Sequence, residues 1–234
     1  MVRVQYREDQ LNFFRFTSIV TDKISIALRQ TFKRMWDRKF GPILSLWDDF
    51  DAVRNCFAVI EDGTTKVPTH LSYEEWDCTA LFQATIFAQS FTLADSTGHH
   101  KTLSDLYVKP LGLPREAFHA SVVSSGGDYY ETVALAIDQL RRIRNLLSHP
   151  PKGEMSKGTF NQYLQLVKDA FKALGLKTDE IDSIGNEVGF PTSEVADLER
   201  NVAHLERNVA CLERKNQNKD MAIYGLGASV VLLK

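Results

Sequence analysis

The chain has 234 residues, and its 28 Lys and Arg against 30 Asp and Glu give a formal net charge of -2, which excludes a globally basic nucleic-acid protein. Hydrophobic residues at 44% and aromatics at 10% supply a core and exclude wholesale disorder. Cys56, Cys78 and Cys211 form no CxxC pair and are odd in number, so neither a disulfide framework nor a zinc knuckle is expected, and a reducing, cytoplasmic compartment fits.

The length allows one domain with an appendage or two small domains. Glu8 and Asp9 precede any apolar run, so the start does not read as a signal peptide. From Leu11 to Trp36, apolar residues recur at Phe13, Phe16, Val20, Ile24, Leu28, Phe32 and Met35, a stripe that predicts one long amphipathic helix ending at Gly41-Pro42. A shorter amphipathic piece is expected over Ile43–Phe50, followed by a loop from Ile60 to His70. Ser72 and Glu75 match a capping box, and the run from Trp76 to Phe91 predicts a second helix. Between Thr92 and Pro114, Gly98, Pro110, Gly112 and Pro114 break every run, which predicts a loop with short helical turns.

Asp128 and Glu131 repeat the capping spacing after Ser124-Ser125-Gly126-Gly127 and open a strong helix ending near Ser148, with Val133, Ile137, Leu140 and Leu147 on its buried face. After a Pro-Pro and Gly153 loop, Phe160, Leu164, Val167, Phe171 and Leu174 mark a further helix capped by Gly175. No convincing alternating strand occurs, so the fold class is all-α: a helical bundle over 1–177, a linker over 178–193, a short coiled coil over 194–220 and an apolar tail over 221–234.

The coiled coil rests on seven-residue units starting at Leu198, Leu205 and Leu212. Val195, Val202 and Val209 take the a positions and Leu198, Leu205 and Leu212 the d positions, a seam that favours a parallel two-stranded zipper and hence a homodimer. The alternative is a lone amphipathic helix packed on the bundle. Met221–Leu233 is apolar or small throughout but shorter than the roughly 20 residues of a membrane span, which leaves a truncated span, an interfacial tail or a packed end.

Charge is distributed unevenly. Residues 1–40 carry +5, 41–140 carry -9, 141–175 carry +5 and 176–234 carry -3. If the fold joins the two basic blocks, they form one positive surface that the total conceals; otherwise they are separate solvated helix faces.

Chemistry concentrates at the end of the helix opened by Asp128. Arg144 falls angularly between Ile137 and Leu140, in the apolar stripe, so its guanidinium must be paired or must face a polar cleft or a subunit interface. Arg141 and Arg142 point elsewhere as solvent-facing cations near the helix C-terminus and are the candidate RNA contacts. Pro150 disfavours helical geometry at His149, which swings the imidazole out at the helix end. Arg144, Asn145 and His149 then converge on a phosphate-sized space; alternatively, Arg144 bonds a buried carboxylate and His149 caps helix carbonyls. His99-His100 lacks a third ligand, Asp48, Asp49 and Asp51 read as a solvated helix face, and Cys78 reads as core, so no metal site and no cofactor are expected.

An Arg-Asn-x-x-x-His segment near the end of a long helix, then a Pro-containing loop and one more amphipathic helix, resembles the HEPN superfamily of compact helical bundles, many of them metal-independent ribonucleases. The closest likeness is to the HEPN domain found in a DAZ-interacting zinc-finger type of RNA-binding ubiquitin ligase and in related invertebrate proteins. Asn12-Phe13-Phe14-Arg15-Phe16, Ile26-Ala27-Leu28-Arg29 and Ile137–His149 carry the resemblance, over roughly residues 10–175. The chain has no RING-type cysteine/histidine cluster, so ligase activity is not implied. The resemblance implies a dimer in which Arg144, Asn145 and His149 act on RNA, with His149 as general acid or base and Arg144 stabilising the phosphorane. The competing expectation is a non-catalytic dimerisation or adaptor module of a signalling or innate-immune type assembly with protein partners.

Overall fold

In the computed structural model, which describes residues 6–63, 65–147 and 153–188, the long apolar stripe forms one helical rod. It consists of α1 (Glu8–Ser18), a π turn over Ile19–Lys23 and α2 (Ile24–Lys39). The π turn reflects the spacing. Phe16, Val20, Ile24, Leu28 and Phe32 are each four residues apart, and each such step overshoots a 3.6-residue α-turn by about 40°. The wider turn takes up part of that excess, so Ile19, Val20, Ile24 and Leu28 all remain buried. The rod stops at Phe40, ahead of Gly41-Pro42 as expected.

The other elements found among the described residues are α3 (Asp51–Glu61), α4 (Cys78–Thr85), a hairpin of β1 (Leu93–Ala94) and β2 (His100–Lys101), α5 (Tyr129–Leu146), α6 (Lys157–Ala173) and α7 (Asp179–Gly185). The fold is therefore mostly helical. Its strands, which the sequence did not reveal, pair Leu93 with Lys101 and Ala94 with His100 across a turn in which the Asp95 carboxylate accepts the Thr97 and His99 amides. α5 packs against α6 and touches α2, α2 lies on α4, and α1 lies on α6 and α7.

Three segments depart from expectation. No helix spans Ile43–Phe50. The Trp47 amide instead donates to Asp37 at 2.6 Å, which draws the chain across the end of α2 and buries the Trp47 ring, while Ile43, Leu44, Leu46 and Phe50 remain exposed. The helix expected over Trp76–Phe91 is shortened at both ends. The Asp77 side chain accepts the Ala80 amide at 2.7 Å and starts α4 at Cys78. Beyond Thr85, the buried Glu61 carboxylate accepts the Gln89 and Ser90 amides, at 2.9 and 2.8 Å, and these residues form a separate short turn. The stretch expected as a linker over 178–193 carries α7 in its described part. Ile181 is buried there, and Lys23–Glu180 and Lys168–Asp182 ion pairs tie the helix to the rod and to α6.

One end of the core is aromatic. Phe32 lies with its ring centroid 4.7 Å from Trp47, 5.5 Å from Phe57 and 5.7 Å from Trp76, largely edge to face, and Trp36 packs alongside. The other end is pinned by polar side chains of α1. Buried Asn12 donates to the Met155 carbonyl, and buried Arg15 reaches Asn12 and Glu8, each at 2.9 Å, and the Glu187 carbonyl at 2.7 Å. The first helix thereby fixes the chain on the far side of the loop after α5 and the chain leaving α7.

Candidate phosphate-binding site at the end of α5

α5 begins as the sequence predicts, with Asp128 accepting the Tyr130 and Glu131 amides at 2.7 and 3.2 Å. The reciprocal half of the box is rewired. The Asp128 amide donates to the Ser124 hydroxyl, which in turn donates to the Glu131 carboxylate. Between Val133 and Ile143 the helix is buried nearly all round, so it is the central element of the bundle rather than a one-sided surface helix. Its last turn emerges from the core, and Arg144 and Asn145 are half-buried there.

Asp138, not foreseen as a functional residue, organises this half of α5. The side chain is fully buried; its Oδ2 accepts Arg142 Nε at 2.6 Å and lies 2.8 Å from His119 Nε2, and its Oδ1 accepts Arg141 Nε and Nη2 at 2.9 and 2.6 Å. Burial pushes the Asp138 carboxyl up. Hydrogen bonds from His119 and Arg142 and the charge of Arg141 outweigh it and hold the group well below the usual carboxylate range. The i, i+3 and i+4 spacing of Asp138, Arg141 and Arg142 is the sequence signal that would have located this network.

The expectation that Arg142 faces solvent is corrected. Its guanidinium is buried, bonded to Asp138 and to the Pro114 and Ala117 carbonyls at 2.7 and 2.8 Å. Its Nε and Nη1 are committed to these acceptors, and burial turns the side chain away from solvent. Arg142 therefore clamps the loop before α5, with help from the His119 amide, which donates to the Gln139 side chain. Arg141 is also paired, yet a third of its side chain is exposed, and its guanidinium lies over the Phe87 ring, 6.0 Å from the centroid.

Arg144 does face a polar cleft. With Asn145 and Arg141 from α5 and Thr79, Phe82, Gln83 and Phe87 from α4 and its following turn, it lines a pocket of about 240 Å³. No carboxylate lines this pocket among the described residues. The Arg144 side chain has no hydrogen bond or ion pair among them; its charge acts on Cys78, whose thiol burial pushes up and Arg144 pulls back. Ser148 to Lys152, including His149, lie outside the described residues, as do the zipper positions Val195, Leu198, Val202, Leu205, Val209 and Leu212 and the apolar tail.

The two basic blocks do not merge at this pocket. Cations of the first block are spent elsewhere: Arg7 on Glu154, Arg29 on Glu74 and the Trp76 carbonyl, Arg34 on the Leu174 carbonyl, and Arg38 against the Tyr129 ring. Of the remaining candidates, Asp48 and Asp51 are exposed but only Asp51 is helical, Asp49 and Asp51 pair with Arg54, and His99 and His100 are exposed in the hairpin. Cys78 is half-buried. Among the described residues no group of three or more His, Cys, Asp or Glu side chains is placed to hold a metal ion, and no helix is long and apolar enough to cross a membrane.

No protein-family model matches the chain, and neither curated proteins nor solved structures give a match.

Proposed function

We propose that this chain is an RNA-acting domain of the HEPN type, a metal-independent endoribonuclease working as a dimer through Arg144, Asn145 and His149. The observation that carries the reading is the state of Arg144: a half-buried guanidinium, without an ion pair among the described residues, in a pocket whose described lining is cationic, amide and aromatic. Desolvated but unpaired cations are costly unless an anion arrives, and a phosphodiester is the anion whose geometry suits a guanidinium fork.

In the proposed reaction the ribose 2′-oxygen attacks the adjacent phosphorus as the bond from phosphorus to the 5′-oxygen breaks. The products are a 2′,3′-cyclic phosphate and a 5′-hydroxyl. One His149 accepts the 2′ proton and a second, from the partner copy, delivers a proton to the leaving oxygen. Arg144 stabilises the charge that builds on the phosphorane, and Asn145 orients the phosphate. The zipper of residues 194–220 raises the effective concentration of the second copy.

Incubation of the purified chain with end-labelled single-stranded RNA in EDTA tests the proposal. Wild type is expected to cleave, and His149→Ala and Arg144→Ala to lose activity by a factor of about 100 or more. Cleavage surviving both substitutions, or absent from wild type, refutes it.

An adaptor function is favoured by a different observation, the exposed run of Ile43, Leu44, Leu46 and Phe50. A chain that cleaves nothing yet loses partner binding on Leu46→Asp and Phe50→Asp would establish that reading instead.

A further inference from the structure

We propose that α4 and its following turn form a subsite for one unpaired nucleobase of a single-stranded RNA, seated beside Phe87 and read by Gln83. The proposal rests on the phosphate-site reading of Arg144 but concerns residues outside the Arg-Asn-x-x-x-His segment and on a different helix.

The pocket has two chemically distinct walls. Arg141, Arg144 and Asn145 of α5 make a cationic wall, whereas Thr79, Phe82, Gln83 and Phe87 make an aromatic and amide wall. Thr79, Phe82 and Gln83 stand at i, i+3 and i+4 on α4, so one helix face presents all three. Phe82 is buried and belongs to the core, but Phe87 is only half-buried and shows part of its ring to the pocket. The side-chain amides of Gln83 and Asn145 make no hydrogen bond among the described residues, so each keeps its donors and acceptor for a ligand. Arg141 is held by its two bonds to Asp138, and its guanidinium lies over the Phe87 ring, which joins the cationic wall to the aromatic one.

This combination fits an unpaired base. Single-stranded RNA is bound where bases stack on aromatic rings or guanidinium planes and expose their edges to amides while cations follow the backbone. A duplex keeps its bases within the stack and cannot enter a pocket of about 240 Å³.

The test uses the full chain and two labelled oligonucleotides of equal length, one carrying bases and one abasic throughout. Both carry 2′-fluoro groups in place of the attacking hydroxyl, and binding is read by fluorescence anisotropy in EDTA. The base-containing strand is expected to bind at least about tenfold more tightly than the abasic one. Phe87→Leu should weaken it by about fivefold to a hundredfold and leave the abasic strand unchanged, while Arg144→Gln should weaken both strands. Equal affinity of wild type for the two strands, or equal weakening of both by Phe87→Leu, overturns the base subsite. If Arg144→Gln still weakens both in that case, the phosphate reading survives alone. Failure of wild type to bind either strand overturns both. Should Phe87→Leu melt below the assay temperature, Gln83→Leu takes its place, with selective weakening of the base-containing strand expected.

Discussion

Asp138→Asn is the substitution that most directly tests the physical account of α5. The native carboxylate is completely buried and serves His119, Arg141 and Arg142 at once. Asparagine keeps the shape and loses the charge, which leaves the Arg142 guanidinium, only 8% exposed, with carbonyl partners but no anion. Removing one partner of a buried ion pair costs about 3–5 kcal/mol, mainly because the other charge stays buried. The Arg141 contact adds little, since that side chain is a third exposed and water screens it. For a chain of this size each kcal/mol moves the melting temperature by about 2–4 °C, so a fall of about 6–20 °C is expected in thermal unfolding followed by circular dichroism. Arg142→Met together with Asp138→Asn should cost less than the two single changes summed, by more than about 1 kcal/mol. A single-variant loss below about 1 kcal/mol, or simple additivity, would refute the reasoning. The same carboxylate sets an acid limit. Because its folded-state pKa is depressed, its stabilisation is complete above the ordinary aspartate value of about 3.9 and is lost as the pH falls below that. In Asp138→Asn, that part of the decline should be missing from urea midpoints measured between about pH 5 and pH 2.

Two further substitutions test the bundle elsewhere. Phe32→Ala, at a fully buried ring surrounded by Trp47, Phe57 and Trp76, should cost about 3–5 kcal/mol in urea unfolding, and a loss under about 1.5 kcal/mol would mean that the aromatic cluster repacks freely. Gly175→Ala should cost about 1–2 kcal/mol, because φ is 67° at the end of α6 and an added Cβ would lie 3.4 Å from Arg34 Nη1; an unchanged melting temperature would refute that cost.

The helices that the sequence revealed are those whose period and caps agree. α6 lies where Phe160, Leu164, Val167, Phe171 and Leu174 place it, and α5 starts at the Asp128 cap. Where a long-range polar contact intervenes, local pattern misleads. The helical period at Ile43–Phe50 yields to the Trp47–Asp37 bond, and the run beyond Thr85 yields to Glu61. At the site, Arg144 was legible because a charge in an apolar stripe demands a reason. For Arg142 the i, i+4 spacing to Asp138 was legible, but its carbonyl acceptors lie more than twenty residues back in the chain, where no periodic rule reaches. Gln83 and Phe87 carry no signal of their own in the sequence, and only the packing of α4 beside α5 gives them a part.

The π turn also governs where the chain can change length. A π turn holds one residue more than the α-turn it replaces without rotating the helix downstream of it, so deleting the exposed Asp22 would leave a plain α-helix with Leu28, Phe32 and Trp36 still facing inward. The same deletion inside α2 ahead of Phe32 turns every later side chain by about 100° and carries Phe32 and Trp36 out of the aromatic core. Within this rod, Ile19–Lys23 is thus the single place where a one-residue gap is neutral in phase.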